Sequence, residues 1–386
     1  MSMNKHNTRG TLYVSHVPIM LLGFVVTTLL MADVLVGAKL YQATVERNAQ
    51  TEDGANMGPA PTSMEVLMLG DVGLQDEIVQ SARQADGTYK FDFAFDRISD
   101  ELNACDLRII NQETSLAPAD PDYVGAQGQE VAWAPTDAVA ALAAKVDACG
   151  FSAVMDATDS MYLFERNGLK VGVLTYASLA SDEGVADQPL ETEQSPDATA
   201  APLPYEQTIR EDVAKVMDTG AELLVVCPRW GNGYETQPTD EQRAYAGLFC
   251  ELGADVVFGC HPHMLQPVEL LHNAEGHRTV CFYSVGTFLT ATDAPTESFI
   301  GGIARVTLTR DKDGTCGVAA ANLVPTVTCR TVGPNMGAYQ LKDWTYELAD
   351  ESSVPFLTPD YAHAFCAQLL GHGFDDASGR YVVDLS

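Results

Sequence analysis

Hydrophobic residues follow two rhythms along this chain. Short apolar runs end abruptly in polar residues, and between them apolar positions recur three and four apart. The first pattern is that of buried strands, the second that of amphipathic helices. Strands are expected at Glu65–Leu69, Leu107–Ile110, Phe151–Met155, Glu222–Cys227, Asp255–Phe258 and Thr279–Val285. Helices are expected at Phe91–Ala104, with Phe91, Phe95, Ile98 and Leu102 in helical spacing, and at Thr136–Cys149, Tyr205–Thr219 and Thr239–Leu252. Gly150 ends the second of these, and Thr239 with Gln242 makes a capping box at the start of the last. Met161–Tyr176 reads as two strands joined by Asn167-Gly168, the strongest short hairpin signal. Alternating strands follow at Ile303–Thr309 and Val318–Thr328, then a helix at Thr358–Leu370. Residues 371–386 carry no pattern. Strands alternating with helices through the first two thirds imply an α/β layered fold.

The N-terminal part follows neither rhythm. Residues 1–11 are polar and include Lys5 and Arg9, and Leu12–Leu35 is then almost wholly apolar. A bilayer core needs about 20 apolar residues. The run exceeds the usual apolar core of a signal peptide, which favours an uncleaved signal anchor over 12–38, with Val36-Gly37-Ala38 as a poor cleavage site in the competing reading. A positive N-terminus inside would put the rest of the chain outside the cell membrane. Residues 39–63 are a polar linker, 64–350 the main domain, and 351–386 a C-terminal helix and tail.

Charge narrows the function. Acidic residues number 53 against 22 basic ones, for a net charge of −31. Such a surface repels nucleic-acid phosphates, so nucleic acid is excluded as a partner. The nine cysteines include no C-x-x-C pair. Their odd number argues against a complete disulfide framework and leaves room for one late bridge such as Cys316–Cys329.

Chemistry gathers at the strand ends: Asp71, Asn111, Glu113, Asp159, Arg229, His261 and His263 each follow an apolar run. Open α/β sheets place their sites there. His261 and His263 flank Pro262, which is expected to press His261 into an extended conformation. Two imidazoles so held suit metal ligation. Each residue has a plainer reading: Asp71 as a helix cap, Asn111 as a loop organiser, Glu113 and Asp159 as solvated loop acids. Trp230 reads as packing, and Cys260 as a buried thiol.

The sequence resembles the CapA-type capsule-synthesis proteins. Leu69-Gly70-Asp71, Asn111-Gln112-Glu113-Thr114, Gly259-Cys260-His261-Pro262-His263 and Phe282-Tyr283-Ser284-Val285-Gly286-Thr287-Phe288 carry the likeness, in order, within 64–350. The resemblance implies a four-layer α/β sandwich of the metallophosphatase type and a part in capsule or poly-γ-glutamate production. It implies a metal site of Asp71, Glu113, His261 and His263, with Asn111 and Asp159 as additional members. Two departures stand out. Asp159-Ser160 occupies the place of an expected Asn-His, and Arg229-Trp230-Gly231 that of His-Trp-Gly. Asp156–Ser160 also joins two strands too directly for a parallel connection, so the sheet there must be antiparallel, rearranged or incomplete.

With two expected histidines absent, the site is expected to hold fewer than two divalent ions. Arg229 would repel a second cation and could clamp an anion instead. Three functions stand side by side: a membrane-anchored module acting on an anionic capsule polymer with capsule-synthesis partners, an active metal-dependent hydrolase of an envelope polymer or phosphoester, and a non-catalytic structural envelope protein.

Overall fold

Strand after strand in this protein buries both faces, and the two faces look into different cores. The computed structural model describes residues 62–112, 136–155, 159–179, 203–375 and 377–386. The chain divides into two units, Met1–Met57 and Gly58–Ser386, and all described residues fall in the second. The apolar span 12–38, Glu113 and residues 156–158 lie outside the described residues. No helix among the described residues is long and apolar enough to cross a membrane.

In chain order the elements are β1 (Thr62–Val72), α1 (Asp76–Ala82), α2 (Asp92–Phe95), a 3-10 turn (Asp96–Ile98), α3 (Ser99–Asn103), β2 (Leu107–Gln112), α4 (Thr136–Ala148), β3 (Ala153–Met155), β4 (Ser160–Arg166) and β5 (Leu169–Tyr176). There follow α5 (Glu206–Asp218), β6 (Leu223–Pro228), α6 (Asp240–Glu251), β7 (Val256–Phe258), β8 (Val268–His272), β9 (Arg278–Phe282), β10 (Thr287–Leu289), β11 (Ile300–Arg310), β12 (Cys316–Cys329), β13 (Gly337–Gln340), α7 (Tyr346–Glu351), α8 (Pro359–Leu370), β14 (Phe374–Asp375) and β15 (Arg380–Val382).

Among the described residues the strands form two sheets. The first runs β14-β15-β12-β11-β1-β2-β3, with β10 also on β1 and β13 on β12; the second runs β4-β5-β6-β7-β9-β8. β1, β2 and β3 are parallel, and so are β5, β6, β7 and β9. Met64, Val66 and Met68 of β1 share one core with Leu223, Val225 and Cys227 of β6, so that core lies between the sheets. Leu67 and Leu69 turn the other way, onto Ile78, Phe95 and Leu142 of the first helical group. Leu224 and Val226 likewise face Val213 and Phe249 of α5 and α6. Helix, sheet, sheet and helix are thus stacked, and double-sided burial explains why these strands read as continuous apolar runs.

Local signals worked where they carried a mechanism. Thr239 accepts from Gln242 N–H and the Gln242 side chain accepts from Thr239 N–H, a reciprocal cap of the kind worth about 1 kcal/mol. Asn167 and Gly168 both take positive φ, at 52° and 77°, between the antiparallel β4 and β5. This hairpin also answers the short link after β3. β3 belongs to the first sheet and β4 to the edge of the second, so the chain changes sheets and resumes antiparallel.

Other expectations need correction. Phe91–Ala104 is helical but broken by its 3-10 turn. Cys316 and Cys329 sit at opposite ends of β12, and all nine cysteines are free. At about 3.3 Å per strand residue they are far beyond the roughly 7 Å a disulfide can span. The C-terminal residues, which carry no pattern in the sequence, join the first sheet: β15 pairs with β12, and Arg380 joins Arg305 on the buried carboxylate of Glu101.

Candidate functional site

β1 stays apolar until Gly70, where the backbones of β1 and the segment before β10 come together. A Cβ at Gly70 would lie 2.3 Å from Gly286 O. Without one, Asp71 N–H donates to Gly286 O at 2.9 Å, and Asp71 falls opposite Asn111 on one side and Thr287 on the other. The result is a carboxylate only 1 % exposed at the carboxyl end of the strand. Asn111 Nδ2 donates to its Oδ1 at 2.6 Å, and His263 Nδ1 lies 2.8 Å from its Oδ2. Asn111 therefore orients Asp71, which is more than ordering its own loop.

His263 reaches Asp71 from the second sheet. Gly259, after β7, is packed so closely that a Cβ would lie 2.0 Å from Tyr283 O and 2.4 Å from Trp230 Nε1. The segment beyond it is pinned between β10 of the first sheet and the loop after β6 of the second. Thr287 Oγ1 donates to His263 O at 3.2 Å, and Tyr234 N–H donates to Pro262 O at 2.7 Å. Pro262 does not extend His261. His261 has φ +90° and His263 φ +55°. Left-handed backbone at a non-glycine residue costs of order 1 kcal/mol, and the pinning contacts hold it there. The two imidazole rings stand edge to face with centroids 5.4 Å apart, His261 buried and His263 partly open.

Burial by itself would raise the Asp71 pKa. The hydrogen bond and charge of His263, the Asn111 amide and the charge of His261 outweigh it, and the carboxyl is held below its ordinary 3.8. An ionised Asp71 only accepts hydrogen bonds, so His263 carries a proton on Nδ1. The arrangement is a preset carboxylate–imidazole pair.

The remaining sequence candidates lie elsewhere along the same edge. Asp159 is exposed, and its Oδ1 accepts from Ala177 N–H at 2.7 Å, which closes the start of β4 against the end of β5. Arg229 follows β6, half-buried, its backbone bonded to Tyr176 and Leu179 and paired with Cys260. Trp230 is packing: it is 1 % exposed, donates to Tyr283 O at 2.8 Å and lies against Phe249 and Tyr283. Cys260 is a buried thiol. Glu113 lies outside the described residues.

Among the described residues no three His, Cys, Asp or Glu side chains form a group that could hold a metal ion. In kind, Asp71, His261 and His263 supply the oxygen and imidazole donors that divalent metals favour. In arrangement, Asp71 and His263 are closed on each other.

Beside this pair opens a cavity of about 160 Å³ lined by Asp71, Gly73, Gln75, Tyr234, His263, Thr287, Leu289, Thr290, Thr292 and Ser298. Apart from Asp71, His263 and the quoted Thr287, sequence reasoning missed this wall. A signal existed in Thr290-Ala291-Thr292-Asp293, a polar run at the end of an apolar strand.

The family model described as "Bacterial capsule synthesis protein PGA_cap" matches residues 65–153 and 137–292. The PGA biosynthesis protein CapA of Bacillus subtilis (strain 168) is 41 % identical over 69 residues, 18 % of this chain and 17 % of that protein. The capsule biosynthesis protein CapA of Bacillus anthracis is 30 % identical over 128 residues, 32 % of this chain and 28 % of that one. The matched stretches thus span less than a third of either relative. A purple acid phosphatase from yellow lupin (Lupinus luteus) seeds superposes with a TM-score of 0.32 at 12 % identity, over 70 % of this chain and 53 % of that one, too low a score to bear on the fold.

Proposed function

The chain belongs to the bacterial capsule synthesis protein family PGA_cap, and from that membership we propose that it serves the synthesis, export or anchoring of a capsule or poly-γ-glutamate-type polymer. In this reading 12–38 are a single-pass anchor and the folded domain, of metallophosphatase type, works at the outer face of the cell membrane. Its partners are the membrane, the anionic polymer and other capsule-synthesis proteins. Its centre is a reduced metal site, with Asp71, Glu113, His261 and His263 as donors to at most one divalent ion.

The observation that carries this reading is the closed contact between Asp71 and His263. A carboxylate bridging two ions turns its oxygens to cations. Here one oxygen takes the Asn111 amide and the other the imidazole N–H. The charge of Asp71 is thereby compensated by the protein itself. The altered half of the site points the same way: Asp159 is committed to Ala177 N–H, and Arg229 puts a permanent cation after β6. A bound ion would supply Lewis-acid polarisation of a substrate oxygen. The chain's own residues set the rest: Asn111 fixes Asp71, Asp71 fixes the tautomer of His263, and Arg229 keeps a cation on the same edge.

The full chain titrated with a γ-glutamate polymer and weighed for metal tests this. We expect polymer binding together with at most one divalent ion per chain, lost in His263→Ala. Because the net charge of −31 repels a polyanion at long range, binding should tighten as salt screens charges beyond about 8 Å. Two ions per chain, or no polymer binding, would overturn the proposal.

A further inference from the structure

The cavity beside Asp71 and His263 differs in character from a site built for a free anion. Among the described residues that line it there is no lysine and no arginine. Its neutral polar groups are the hydroxyls of Thr287, Thr290, Thr292, Ser298 and Tyr234 and the amide of Gln75, and its ionisable groups are Asp71 and His263, which are closed on each other. The Asp71 carboxylate and the His263 imidazole balance each other, so the wall holds no surplus cation that would favour phosphate or a free carboxylate. Hydroxyls and amides pair with groups that both donate and accept, such as carbonyls, amide N–H groups and sugar hydroxyls. The volume, about 160 Å³, suits one such unit and not a whole polymer repeat.

Gln75 is the most committed member of this wall. Its Oε1 accepts from Ala291 N–H at 2.9 Å, so its amide is oriented and offers chiefly the two Nε2 donors. It packs over Gly73, where a Cβ would lie 2.3 Å from Nε2. The Thr290 and Thr292 hydroxyls stand 3.1 Å apart on the same segment that anchors Gln75. The Gln75, Thr290 and Thr292 part of the wall is thus held by contacts that do not involve the side chains of Asp71 or His263.

We propose that this cavity receives a neutral carbonyl-bearing unit, the amide link of a polymer backbone and not its charged groups, and that Gln75 is the residue that selects it. The inference rests on the capsule-polymer reading only for the identity of the polymer, a γ-linked glutamyl chain. The chemistry of the wall is independent of that. Charged groups of the chain would remain outside the cavity, while Gln75 donates to the carbonyl oxygen and a threonine hydroxyl accepts from the amide N–H.

The test uses the full chain and three probes in calorimetric titrations: a capped, uncharged γ-glutamyl amide, inorganic phosphate and a long γ-glutamate polymer. We expect the capped amide to bind, phosphate not to compete with it, and both Gln75→Ala and Gln75→Glu to weaken it about tenfold, the loss of one well-placed hydrogen bond. Gln75→Glu keeps the shape and removes the donors, so it separates lost recognition from lost packing. Phosphate that displaces the amide, or Gln75 variants that bind it as the parent does, would overturn the inference. If the long polymer fails to bind while the capped amide still binds through Gln75, the capsule-polymer reading falls and the cavity assignment stands. If the polymer binds and the Gln75 variants change nothing, the reverse holds.

Discussion

Two buried aspartates at opposite edges of the parallel strands show what a partner does to a charge. Asp71 ends β1 and Asp255 precedes β7, and they are 1 % and 5 % exposed. Burial raises the pKa of both. For Asp71, the hydrogen bond and charge of His263, the Asn111 amide and the charge of His261 reverse that effect, and the carboxyl sits below 3.8. Asp255 has the Leu224 N–H at 2.8 Å and the charge of His277, and its pKa is still pushed up by burial to about 6. The backbone bond to Leu224 ties β6 to β7 at the amino end of the sheet, a structural task that works with the carboxyl in either state. The Asp71 pair keeps a charge permanently in place at the carboxyl edge, which is where chemistry needs one.

The sharpest way to break this comparison is to remove Asp71. Asp71→Ala leaves Asn111 and His263 without their acceptor and should cost about 3 kcal/mol in denaturant unfolding at neutral pH. Because the folded pKa lies below 3.8, that contribution is present above the unfolded value and is lost as pH falls through the folded one. A variant as stable as the parent at pH 7 would show that the pair is only a neighbourly contact.

Asp255 should respond with the opposite sign. Below about pH 4 both its folded and unfolded carboxyls are protonated. As pH rises toward 6 the unfolded chain releases its proton first, so stability declines, and above about pH 6 the deficit is constant. Asp255→Asn should therefore exceed the parent by of order 2 kcal/mol above pH 6, with the gap closing near pH 4. A gap independent of pH would place the effect in packing and not in charge.

The smallest effect belongs to the exposed carboxylate. Asp159→Ala removes one hydrogen bond to Ala177 N–H and should cost about 0.5–1 kcal/mol, with no change in metal content. A loss of bound metal in this variant would return Asp159 to the site and undo the contrast between the two halves of the edge.

Much of the fold was legible because its strands are buried on both faces and its turns use residues with one conformational preference. Asn167-Gly168 and Thr239 with Gln242 are decided within a few residues. β8, half-exposed along its length, has no clean alternation to read, and β14 and β15 are too short to carry a period. The break within Phe91–Ala104 left its apolar spacing intact, so periodicity could not reveal it. In the site, Asp71, Asn111 and His263 were each visible as polar residues ending apolar runs. Gln75, Tyr234 and Ser298 were not, because their value lies in facing one cavity from three separate segments.

The sequence by itself determined the residue types at the strand ends, the layered class and the family to which the chain belongs. These follow from local patterning and from motifs in fixed order. Only the tertiary structure decided that Asp71 closes on His263, that Asp159 turns to Ala177, and that His261 adopts a left-handed backbone where proline suggested extension. Each depends on where two sheets meet. Neither Gly70, which lets β1 approach Gly286, nor Gly259, which lets the histidine segment turn beneath Trp230, carries that information until the partner strand is in place.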